Sequence, residues 1–192
     1  RRTSAEYITV DVSSFNFNNL ETCNYMFNTD VYTDYIKTII LPSDPADANA
    51  PKLQKTERMF RKRVHLESIE NMGLLATTTK LTSTKSMFSE CNMLETIDVS
   101  SMNFSNVTDT QWMFNAAKNQ TQDRLTTIYV SSDPAYAFKT VSNSGEMFAN
   151  RTVLVGQANT RCDGTHNINI TYARIDSNEQ PGYFTDIINK PA

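Results

Sequence analysis

The chain of 192 residues has little of what most enzymes need. There are only two histidines, His65 and His166, and neither has a second His or a Cys at ligand spacing, which leaves no metal site. Five glycines form no G-x-G-x-x-G run, and Gly164-Thr165-His166 is not a phosphate loop. A G-x-S-x-G elbow for a hydrolase nucleophile is absent as well. Asp and Glu are common enough that any carboxylate pair proposed for glycoside chemistry has no specificity. The expectation is a protein that is not an enzyme and carries no cofactor.

Other absences narrow the partners. Three cysteines, Cys23, Cys91 and Cys162, make an odd count with no disulfide framework in view, and Cys23 reads as a packed thiol. No apolar run reaches the roughly 18 residues that span a bilayer, so no membrane span is expected in this fragment. No signal peptide precedes the first strand, and the ends at Arg1 and Ala192 read as cuts in a longer protein. The formal charge of −3 argues against a nucleic-acid partner. The one basic run, Arg58, Arg61, Lys62 and Arg63, reads as a solvated loop. Sequons at Asn103, Asn106, Asn119, Asn150 and Asn169 are no more than an Asn-, Ser- and Thr-rich composition supplies.

What is present is a repeat. Leu94–Phe114, LETIDVSSMNFSNVTDTQWMF, is echoed without a gap by Tyr7–Phe27, YITVDVSSFNFNNLETCNYMF, and more loosely by 36–60, 66–88 and 125–148. Met-Phe pairs at Met26, Met59, Met87, Met113 and Met147 mark the register, at separations of 33, 28, 26 and 34 residues. Seven residues before each Phe stands an aliphatic residue (Leu20, Leu53, Leu81, Val107, Val141). Three residues further on comes a small one (Cys23, Thr56, Thr84, Thr110, Ser144). That spacing predicts one short helical turn ending at each Met-Phe.

The front of each unit alternates instead. Apolar residues at offsets 0, 3 and 5, as in Leu94, Ile97 and Val99, predict strands near 8–12, 37–41, 67–70, 95–99 and 126–130. In the third unit Asn71 stands at the last buried offset and needs a hydrogen-bond partner if it turns inward. One strand per unit in a constant direction makes a parallel sheet with one rung per repeat, closed only by stacking neighbours. The insert Pro42–Lys52 and the extra residues around Asn115–Asp123 and Asp133-Pro134 are expected as loops.

L-x-x-I-x-V resembles the strand segment of leucine-rich repeats. The fuller unit, I-D-V-S-S-x-N-F-x-N-V-T-x-x-x-x-M-F, resembles the BspA-like repeats of bacterial surface proteins, and Leu154–Ile187 is similar to the piece that closes such arrays. The Asn ladder of ordinary leucine-rich repeats is missing, with Phe15 and Met102 in its place. The reading is an α/β repeat fold, a right-handed leucine-rich-repeat-like solenoid with one short parallel strand per repeat. It divides into a five-repeat array over 1–153, a capping segment over 154–188 and the start of a linker at 189–192. The resemblance implies an exported, extracellular, cell-surface module that binds host or matrix proteins. The alternative is a spacer that projects another domain.

The candidate binding residues lie on the open sheet face. Offset 2 carries a hydroxyl on every rung, Thr96 among them. Glu67, Glu70, Glu95 and Asp98 place four carboxylates on the third and fourth rungs. Two readings stay open, a solvated face or a patch for a basic segment or a cation.

Overall fold

A computed structural model describes residues 7–31, 35–75, 78–118 and 122–191. The expected ends at Arg1 and Ala192 and the sequon at Asn119 lie outside the described residues. Strands β1 (Ile8–Asp11), β2 (Ile36–Ile40), β3 (Ser68–Glu70), β4 (Thr96–Asp98) and β5 (Thr127–Val130) fall within a residue or two of their expected positions. A short β6 (Thr185–Asp186) follows. All pair in parallel, with Val10 beside Ile39, Ile39 beside Ile69 and Ile97 beside Ile128, so equal offsets meet across rungs. The chain is a repeat solenoid with one apolar core along its length.

The sheet is not continuous. It divides into β1–β2–β3 and β4–β5–β6. Asn71 follows β3 at this break. It stands where other units bury Val12, Leu41, Val99 and Val130, and it adopts a left-handed conformation at φ 61°. Its Nδ2 donates to the Leu41 carbonyl at 2.8 Å, so the half-buried amide finds a partner. A 3₁₀ turn, Met72–Leu74, follows, and the Asp98 carboxylate sits against Gly73, where a Cβ would lie 2.7 Å from its Oδ2.

The turn side runs uninterrupted through all five repeats. Thr22, Lys55, Ser83, Asp109 and Asn143 bridge in parallel, one per rung. At the first junction the amides of Cys23, Tyr25, Phe27 and Thr29 donate to the carbonyls of Lys55, Glu57, Met59 and Arg61, at 2.8–3.2 Å. The same four-bond comb recurs at the next three junctions.

The expected helical turn is therefore absent. The amide of each Met bonds the carbonyl three residues back, as Met113 does to Thr110 at 3.0 Å, while neighbouring amides reach the next rung. The residue before each Met has positive φ: Tyr25, Arg58, Ser86, Trp112 and Glu146 lie between 55° and 60°. A left-handed residue interrupts any right-handed helical run, and overlapping β-turns result. Among the described residues, α-helix is confined to the single turn α1 (Pro45–Ala48) in the insert, with Asp44 as its N-cap and Pro45 at its first position. An α/β description thus overstates the helix.

Inside the turns the side chains form columns. Phe27, Phe60, Phe88, Phe114 and Phe148 stack ring on ring, 5.4–5.7 Å between centroids and within 11° of parallel. Thr56 and Thr84 donate their hydroxyls to the sulfurs of Met87 and Met113 in the following rung, at 3.2 and 3.1 Å. This gives the small buried position a reason to be Thr. After Leu154 the chain folds over the last rung. Tyr183 and Phe184 meet Phe148 edge-on, which ends the column of faces.

Candidate functional site

The sheet-face residues are partly neutralised from within. Lys37, at the same offset as Glu67 on the neighbouring rung, pairs with it at 3.1 Å. Lys190 reaches back 92 residues to Asp98 at 2.7 Å, and Ser100 donates both its amide (3.0 Å) and its hydroxyl (2.6 Å) to the same carboxylate. Glu67 and Glu95 line one cleft of about 350 Å³ with Ser68, Thr96 and Arg124, opened by the break between β3 and β4. Glu70 is exposed and stands outside that cleft, as does Asp98. Among the described residues, no three His, Cys, Asp or Glu side chains gather as a metal site.

The face also lacks an aromatic cluster among the described residues. Tyr129 is buried beneath Lys190, and Ile40 is half-buried. Of the basic run, Arg63 is not solvated. It is half-buried and its guanidinium donates to the Phe27 and Asn28 carbonyls.

Two aromatics, Tyr25 and Trp112, lie on the turn face at the residue before a Met. In rung order that column reads Tyr25, Arg58, Ser86, Trp112 and Glu146. Positive φ turns each of these side chains away from the buried Met-Phe column. Tyr25 is 50% exposed, with the Arg58 guanidinium 5.2 Å over its ring and hydrogen-bonded to its hydroxyl. Trp112 is half-buried. Its Nε1 donates to Glu146 at 3.2 Å, and Lys85 lies 5.3 Å from its ring centre. Between Arg58 and Trp112 the small Ser86 leaves a notch of about 410 Å³. Sequence reasoning overlooked this column although the Met-Phe register contains it. The signal is a position in constant register that holds two aromatics and an arginine.

Residues 46–160, well over half of the chain, match a family described as a Mycoplasma protein of unknown function, DUF285. The chain belongs to this family. The match takes in the last four Met-Phe turns of the DUF285 chain, with the notch and the cleft apart from Tyr25 and Thr38. Neither the curated proteins nor the solved structures gave a match. Among the described residues no helix is long and apolar enough to cross a membrane.

Proposed function

We propose that this DUF285 chain is an exported, cell-surface interaction module that binds a host or matrix protein. In this reading it is a right-handed array of the BspA-like leucine-rich-repeat kind, closed by the segment after Leu154. One observation carries the reading. The turn face presents Tyr25, Arg58 and Trp112 in a single register, and these are the residue types that dominate binding energy at protein interfaces. A spacer needs only the inner columns, and nothing in the stack of Phe rings requires Tyr25 or Trp112 outside it.

The test is binding of the purified chain to a panel of immobilised extracellular-matrix proteins. At least one should bind the wild type and lose about tenfold or more in affinity with Tyr25→Ala/Trp112→Ala. Failure of every matrix protein to bind leaves the spacer reading in its place.

A further inference from the structure

The notch at Ser86 holds unpaired oxygens. Ser86 and Ser89 are 1% and 4% exposed, and among the described residues neither hydroxyl makes a side-chain hydrogen bond. Asn115 lines the same notch, and its Oδ1 is buried without a partner. Buried polar atoms in folded proteins nearly always have partners, so the Asn115 Oδ1, beside two serine hydroxyls without side-chain bonds, calls for a ligand that supplies one. An acceptor such as Oδ1 needs a donor, while the hydroxyls can give or take.

The walls narrow the chemistry. Arg58 and Trp112 stand two rungs apart, roughly 10 Å, which leaves room for one ring of ligand between them. Trp112 offers an indole surface, and its contacts with Lys85 and Glu146 hold it in place. Charge at the notch is close to balanced. Arg58 and Arg61 stand opposite Glu90, with Arg61 also paired to Asp30 at 3.3 Å. A strongly cationic or anionic group would meet a like charge on one side.

A flat ligand with an apolar C–H face and a rim of hydroxyls fits all three features. We infer that the notch binds a pyranose saccharide, its C–H face on Trp112 and its hydroxyls on Ser86, Ser89 and Asn115. The inference rests on the turn face being the interaction surface and names what that surface recognises, a glycan carried by the partner.

Trp112 is the only tryptophan, so its fluorescence reports on the notch directly. The full chain is titrated with glucose, galactose, N-acetylglucosamine and glucuronic acid, and with short oligosaccharides of each. At least one should shift the emission saturably, the neutral sugars ahead of the uronic acid. Ser86→Tyr places in the notch the residue that the first rung carries at the same backbone conformation. It should weaken the response about tenfold or more at an unchanged melting temperature. Asn115→Leu, which removes the buried acceptor, should weaken it similarly and serves should Ser86→Tyr not fold. The inference is overturned if no saccharide shifts the emission, or if a folded variant responds like wild type. A matrix glycoprotein that binds equally after enzymatic deglycosylation, yet loses affinity for Tyr25→Ala/Trp112→Ala, overturns the saccharide and leaves the interaction module standing.

Discussion

Arg151 donates its Nε hydrogen to the carbonyl oxygen of Phe114 at 2.6 Å, one rung back, from a fully buried side chain. Its guanidinium also reaches the Asn115 carbonyl and ion-pairs with the nearly buried Asp123. Arg63 makes the equivalent contact with Phe27, and Cys91 donates its thiol to Phe60 at 2.9 Å. At three of the four junctions the side chain three residues after a Phe thus caps the Phe carbonyl of the preceding rung. Ala117, at the fourth, has no side-chain donor to do so. Arg151→Met should cost about 3–5 kcal/mol, because it strands the Asp123 carboxylate without its counter-charge. Adding Asp123→Asn should recover part of that loss. Urea denaturation of the single and double variants measures the coupling, and strictly additive losses would contradict it.

Phe114 lies between Phe88 and Phe148 in the stack, both centroids 5.7 Å away. Phe114→Ala should destabilise the chain by about 3–5 kcal/mol through the cavity it leaves. Thr96, exposed on β4, should tolerate Ala at well under about 1 kcal/mol. Equal losses in chemical denaturation would refute the register.

Asp176 ties the closing segment together. Its carboxylate accepts from the Thr160 hydroxyl (2.6 Å), the amides of Thr160 and Ala158 (both 2.9 Å) and the amide of Gly182 (3.0 Å). Burial pushes its pKa up, but these donors together hold it below the ordinary 3.8. A folded pKa below the unfolded one adds stability that is present in full above the unfolded value. That stability is lost as pH falls through the folded value. The melting temperature should therefore drop as acid is added below about pH 4, and Asp176→Asn should be less stable at neutral pH with this acid step reduced. An unchanged acid step in the variant would exclude Asp176 as its source.

The thiols should be inert in the folded chain. Burial raises the Cys23 pKa to about 12 and pushes Cys162 up as well. Little thiolate forms at neutral pH, so a maleimide reagent should label Cys23 and Cys162 slowly until denaturant is added. Prompt labelling of the native protein would show that the turns open.

The strands were legible because β-branched residues at alternating offsets leave one face to bury, and a slip of one residue would turn Ile97 outward. The departure of the third unit was legible in Asn71, a polar side chain at an offset that the other units bury, but the sheet break was not. The turns were misread because a run of β-turns, like a helix, returns to the same side about every three to four residues. Positive φ at Tyr25 or Trp112 leaves no mark in composition, since neither is Gly or Asn. On the sheet face, Lys37 at the offset of Glu67 was readable. Lys190 on Asp98 was not, because nothing local couples residues 92 positions apart.

The central claim, that recognition belongs to the turn face, is tested most directly by comparing two variants. One carries Tyr25→Ala and Trp112→Ala, and the other carries Glu67→Gln and Glu95→Gln in the sheet cleft. Affinity for the same matrix protein is measured by biolayer interferometry, with circular dichroism to verify folding. A loss of about tenfold or more is expected for the turn-face variant and less than about twofold for the cleft variant. The reverse order would contradict the claim and return recognition to the carboxylates of the sheet.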